Sequence, residues 1–145
     1  MTEPNLRRAS RLILLDGRRR VLLFRHAGVN GEVFWAPPGG GLERGETFEQ
    51  AARREAYEEL GLTSFTPQRV WERVTDFVYV DHPVHQHEWF FLIEGELPTI
   101  SSAVKKVHGE EGILESRWWT TAEIESATEP VFPEELASEL RKISN

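Results

Sequence analysis

The sequence predicts an α/β fold in which helices cover both faces of a mixed β-sheet, an α/β/α sandwich. Three observations lead there. Residues 11–25 read as two strands about Asp16–Gly17, and residues 47–61 carry a helical stripe of apolar positions. Strand patterns resume over 68–94 and 113–119 before an amphipathic C-terminal segment. With 145 residues, the whole span 1–145 makes one domain able to bury a sizeable core.

The first ten residues are loosely patterned, with a basic pair at Arg7 and Arg8. In LILLDGRRRVLLF, strands over 11–15 and 21–25 flank Asp16–Gly17, a good hairpin signal. Arg18, Arg19 and Arg20 read as a solvated hairpin end. Arg11 and Arg25 differ, because they sit at strand ends where either can hold an anionic group. Residues 26–32 form a polar, glycine-containing loop and 33–35 a short strand, with Trp35 as core beneath the glycines that follow. A strand over 68–76 continues through 77–79 to a turn at 81–83. Residues 84–94 alternate and then become continuously apolar, a long strand. His85 and His87 share a face of it, but no third or fourth ligand stands at a recognisable spacing, which argues against zinc. Gly95 and Pro98 end that strand, and 105–112 read as a polar loop. A strand over 113–119 enters a helix over 121–126. The last helix, 133–143, turns Leu136, Leu140 and Ile143 inward.

The densest chemistry lies in FWAPPGGGLERGETFEQAARREAYEELGL, residues 34–62. A Pro-Pro-Gly-Gly-Gly loop feeds a helix that starts near Thr47, a good N-cap, and stops at Gly61. At about 100° per residue, Phe48, Ala51, Ala52, Glu55, Glu58 and Glu59 share roughly a third of the circle. Gln50, Arg53 and Tyr57 lie opposite, with Arg54 near the border. Solvated carboxylates belong opposite the packing stripe, and these share it. Three of them on adjacent turns repel, at roughly 2–3 kcal/mol per pair for ~6 Å and an effective dielectric near 20. A hard divalent cation such as Mg²⁺ or Mn²⁺ reverses that sign. The Gly39–Gly41 run lets backbone approach an ion or a phosphate without Cβ obstruction, which makes Gly41 a candidate phosphate contact.

Read from Gly40, the residues fit G-x5-E-x7-R-E-U-x-E-E-x-G-U, where U is a bulky aliphatic. Its fixed positions are Gly40, Glu46, Arg54, Glu55, Glu58, Glu59 and Gly61. From residue usage, a chance match is on the order of one in a million for a chain this long. The stretch 40–62 resembles the Nudix box, the signature of the Nudix hydrolase family, with Ala56 where the family prefers Ile, Leu or Val. The resemblance implies a Nudix-type sandwich and hydrolysis of a diphosphate linkage in a nucleoside diphosphate joined to another moiety. It implies Mg²⁺ (or Mn²⁺) on Glu55 and Glu59, with Glu58 and a carbonyl of Gly39 or Gly40 completing the site. An ion pair between Glu46 and Arg54 should orient the loop. Catalysis of this type rests on positioning and electrostatics, with Arg54 and Glu55 in the catalytic set. Glu58, Glu110 and Glu111 are the candidates for general base. Arg11 and Arg25 become candidate substrate-phosphate contacts. Tyr79, about seventeen residues past the box, resembles in spacing the diadenosine polyphosphate hydrolase group. The proline favoured by ADP-ribose hydrolases is absent there, since Phe77 and Val78 stand in its place. Trp71, Trp89, Trp118 and Trp119 are available as core or as a base-stacking platform.

With no cysteine, disulfides, thiolate metal sites and thiol nucleophiles are excluded. The net charge of −7 argues against wholesale binding of nucleic-acid backbone, and the resemblance implies a small nucleotide as the partner. No apolar run approaches a membrane span and the N-terminus lacks a signal-peptide core, so a soluble cytoplasmic protein is expected. Two other readings stay open: a nucleotide-sensing domain without catalysis, and a decapping-type RNA hydrolase. The resemblance also leaves a homodimer open.

Overall fold

One of the two longest ladders of the sheet joins two strands that lie far apart in the chain. β1 (Asn5–Leu15) runs parallel to β6 (His82–Glu94), in register from Asn5↔Val84 to Leu15↔Glu94. The computed structural model describes residues 3–28, 30–94 and 112–143. Within them β2 (Val21–Ala27), β3 (Val33–Ala36), β4 (Gly39–Gly41), β5 (Gln68–Tyr79) and β7 (Ile113–Trp119) complete a seven-stranded mixed sheet. The helices are α1 (Phe48–Leu60), α2 (Thr121–Glu125) and α3 (Leu136–Ile143).

A wedge in this sheet positions the candidate site. β1 and β2 meet at the hairpin end, Leu15↔Val21, and then diverge. The following segment fills the opening: β3 pairs with β2 (Phe24↔Ala36) while β4 pairs antiparallel with β1 (Ala9↔Gly41, Ser10↔Gly40, Arg11↔Gly39). Leu12 N–H donates to Pro38 O at 2.8 Å and Leu42 N–H to Arg8 O at 2.9 Å, fastening both ends of β4. Residues 39–41, expected as loop, are therefore strand. Three glycines offer no side-chain alternation to read, and the neighbouring strand alone makes them extended.

The sandwich is as expected. One core layer, Leu12, Leu14, Leu22, Phe24, Phe91 and Ile93 with Ala52, Ala56 and Leu60, lies under α1. The other, Ile13, Leu15, Val21, Leu23, Trp35, Phe90, Leu92 and Trp119 with Leu136 and Leu140, lies under α3. The alternation of β1 sorts its residues between the layers, even numbers to α1 and odd numbers to α3. Ala56, the departure from the aliphatic pattern, is fully buried against the sheet. Trp35 is core as expected, in the α3 layer, edge-on to Trp119 with ring centroids 5.0 Å apart.

Several boundaries moved. β1 begins at Asn5 rather than Arg11, because β6 supports it along that whole length. β2 runs on to Ala27. The second hairpin turns at Val80 and Asp81, with φ of 49° and 60°, so His82 and Pro83 already belong to β6. α3 starts at Leu136, inside the expected 133–143. Among the described residues, no helix is long and apolar enough to cross a membrane.

Candidate functional site

α1 starts and stops where its sequence dictates. Thr47 Oγ1 accepts from Gln50 N–H while Gln50 Oε1 accepts from Thr47 N–H, a reciprocal cap. At the other end Gly61 turns left-handed (φ 71°) and its N–H donates to Tyr57 O at 2.9 Å. Between them the buried positions are Ala51, Ala52, Glu55, Ala56, Glu59 and Leu60, so two carboxylates sit on the packing face. Glu55 is 7 % exposed and Glu59 1 %.

Glycine backbone makes room for them. Glu59 Oε1 accepts the Gly39 N–H at 3.0 Å. Glu55 lies against Gly40, where a Cβ would stand 2.8 Å from Oε1. Gly39 has φ +135°, and a Cβ there would come within 2.2 Å of Ser10 O. Ser10 itself, fully buried, donates its hydroxyl to Phe48 O at 2.7 Å and ties β1 to the first turn of α1.

Arg54 organises the remaining carboxylates. It grips Glu46 with two bonds, Nε–Oε2 at 2.8 Å and Nη2–Oε1 at 3.0 Å, the ion pair that the resemblance implies. Nη2 also donates to Gly41 O at 3.0 Å, and Nη1 reaches Glu55 Oε1 at 3.0 Å and Glu58 Oε2 at 3.2 Å. One guanidinium thus faces Glu46, Glu55 and Glu58, with Glu43 at 3.7 Å. The bonds to Glu46, ahead of those to Glu55, raise the Arg54 pKa above its ordinary value. In return Arg54 holds the Glu46 carboxyl below its ordinary 4.5. A depressed carboxyl contributes stability that is complete above 4.5 and is lost as pH falls through the lower folded value. Glu46→Gln is expected to flatten this acid limb in a plot of denaturant midpoint against pH. It should not abolish the limb, because Arg25 depresses Glu129 in the same way. An unchanged limb would remove the pair from the stability account.

The donor set is all oxygen: the Glu55, Glu58 and Glu59 carboxylates beside the glycine carbonyls. That chemistry fits a hard divalent cation. Among the described residues no three His, Cys, Asp or Glu side chains stand close enough together to hold one. Arg54 bridges Glu55 and Glu58, and Glu59 is turned to Gly39.

A model of the NUDIX domain matches residues 5–140. The chain belongs to this family. An RNA pyrophosphohydrolase of Brucella ovis is 43% identical over 51 residues, which are 35% of this chain and 27% of that protein. The chain thus spans about a quarter of the length of that curated relative. Among solved structures, a MutT protein from Methanosarcina mazei aligns with a TM-score of 0.66 at 15% identity, covering 99% of this chain and 96% of the other. A C. elegans Ap4A hydrolase aligns at 0.63 and 21% identity, covering 94% of each. At such identities the likeness is one of fold.

Elsewhere in this Nudix domain, the residues read from the sequence scatter. Arg11 and Arg25 were expected at strand ends, but both strands run past them. Arg11 donates Nε to Glu88 Oε2 at 3.0 Å and Nη1 to Gly39 O at 3.3 Å. Arg25 grips Glu129 through Nε at 3.1 Å and Nη2 at 2.7 Å, and Glu129 also accepts from Trp35 Nε1 at 2.9 Å. The structure therefore brings neither arginine to the α1 carboxylates as an uncommitted cation. Tyr79 is exposed at the end of β5. His85 and His87 bind Asp76 and Glu72 across the β5–β6 ladder at 2.7 and 2.8 Å instead of converging on one point. Trp71 is committed to a stack on Phe90 at 3.8 Å. Glu110 and Glu111 lie outside the described residues. Sequence reasoning missed Gln86 and Glu88, buried polar residues of β6 whose even-numbered alternation was the available signal.

Proposed function

We propose that this Nudix domain hydrolyses phosphoric anhydrides with the help of a divalent cation, cleaving a diphosphate linkage in a nucleoside diphosphate joined to another moiety. One observation carries the reading: Glu55 and Glu59 turn into the glycine strand, almost wholly out of water, where a folded chain gains nothing from two carboxylates. Glu55, Glu58 and Glu59 with a carbonyl of Gly39 or Gly40 would hold Mg²⁺ or Mn²⁺. Such an ion supplies neutralisation of charge on the bridging and non-bridging oxygens. Arg54 sets the geometry by holding Glu55, Glu58 and Gly41 O at once. Glu58, the most exposed of the three, is one candidate to take a proton from attacking water, with Glu110 and Glu111 the others. Gly41 leaves the strand open to a phosphate.

The substrate reading leans to dinucleoside polyphosphates, on the spacing of Tyr79 from the box, and Tyr79 is exposed at the turn end of the β5–β6 hairpin. The name of the Brucella relative favours a second reading, removal of pyrophosphate from an RNA 5′ end, and the net charge of −7 weighs against it. A panel of dinucleoside polyphosphates, nucleotide sugars, modified nucleoside triphosphates and 5′-triphosphate RNA, with products identified, decides between them. Cleavage is expected only with Mg²⁺ or Mn²⁺ present and should stop when a chelator is added. Binding without cleavage of any member would mark a sensing domain and overturn the proposal.

A further inference from the structure

Three arginines line the sheet face opposite α1, near the glycine strand, and two of them are neutralised. Arg11 pairs with Glu88 at 3.0 Å, and Arg73 pairs with Glu88 at 3.4 Å and Glu135 at 2.7 Å. Arg7 is different. Its Nη1 donates to the neutral Gln86 Oε1 at 2.7 Å, and among the described residues no carboxylate stands within ion-pair distance of it. Gln86 is only 6 % exposed, so its amide is fixed and aims the guanidinium. Burial and the charge of Arg11 lower the Arg7 pKa, and the weaker opposing pull of Glu88 and Tyr79 does not offset them.

The glycine strand connects this cation to the carboxylates. A Cβ on Gly40 would point at Glu55 Oε1, 2.8 Å away, whereas one on Gly41 would point at Arg7, 3.8 Å from Nε and 4.0 Å from Nη2. Successive glycines therefore face the acidic helix and then Arg7. Among the described residues β4 pairs only with β1, so no strand covers its other edge, where side chains of Glu59, Arg54 and Arg11 meet Gly39 N–H, Gly41 O and Gly39 O. A single phosphate cannot touch both sides of a strand, but a chain of phosphates passing over this strand-free edge can.

We propose that Arg7 binds the phosphate chain beyond the point of cleavage, so that this domain prefers chains of three or more phosphates to a diphosphate. The proposal rests on the anhydride-hydrolysis reading above and names the substrate feature its site selects. Tyr79 belongs to the same face, since the ladders align Arg7 with Gln86 and Thr75, and Tyr79 follows four residues after Thr75.

Calorimetric titration of the wild type, Arg7→Gln and Arg7→Lys with inorganic tripolyphosphate and with pyrophosphate, in Mg²⁺ buffer, tests this. Arg7→Gln is expected to weaken tripolyphosphate binding about tenfold or more, the loss expected for a hydrogen bond to a charged group. Pyrophosphate binding should stay within about twofold, as for a contact outside its reach. Arg7→Lys keeps the charge and should recover most of the difference. On a cleaved polyphosphate, Arg7→Gln should raise KM and leave kcat nearly unchanged. Equal weakening for both ligands, or none for either, overturns the proposal. If no anhydride is hydrolysed but the Arg7-dependent preference persists, the inference stands and the hydrolytic reading falls. If hydrolysis is intact and Arg7→Gln is silent on tripolyphosphate, only this inference falls.

Discussion

Glu59→Gln is expected to lower turnover on a phosphoric anhydride by roughly two or more orders of magnitude while the domain stays folded. The replacement keeps the volume of a side chain that is 1 % exposed, and the amide oxygen can still accept the Gly39 N–H. What it removes is a full negative charge in a place shielded from water, where a bound cation would feel it most. Phosphate release with Mg²⁺ and a thermal melt, measured together, separate the two effects. Glu43→Gln is the comparison, because that carboxylate is 67% exposed and lies 3.7 Å from Arg54 at the outside of the cluster; it should change turnover little. Turnover near wild type in Glu59→Gln would move the proposed metal site elsewhere.

Gly39→Ala should have the larger effect on folding. The residue has φ +135°, a conformation that L side chains rarely adopt, and its new methyl would lie 2.2 Å from Ser10 O and 2.8 Å from Arg11 Cα. Both are backbone atoms of β1, whose Ala9, Leu12 and Ile13 are fully buried, so the strand has nowhere to retreat. A loss of about 3 kcal/mol or more is expected, from combined dihedral strain and overlap. For a domain of this size that lowers the melting temperature by roughly 10 °C. Gly17→Ala is the control, since a Cβ there meets nothing within 4 Å, and it should melt with the wild type. Equal melting of the two variants would mean that β4 is not seated on β1.

What could be read in the sequence, and what could not, follows the range of the interactions. The ends of α1 were readable because Thr47 and Gly61 cap it through atoms no more than five residues away. The acidic face was readable because helical geometry relates Glu55, Glu58 and Glu59 locally. The partner of Arg25 was not, because Glu129 lies 104 residues further on. Nor was that of Arg11, because Glu88, delivered by the parallel β1–β6 ladder, lies 77 residues further on. The strand character of residues 39–41 was invisible for a related reason: it comes from pairing with β1 and not from any preference of glycine.

The seating of β4 on β1 has a consequence for motion. The rim carrying the proposed chemistry is laced to β1 by Leu12 N–H to Pro38 O and Leu42 N–H to Arg8 O. Those two amides should exchange with deuterium as slowly as the interior of β1, and only through whole-molecule opening. Inactivation by heat and loss of the native state would then coincide, and variation in what the protein accepts would have to arise in the outlying hairpins.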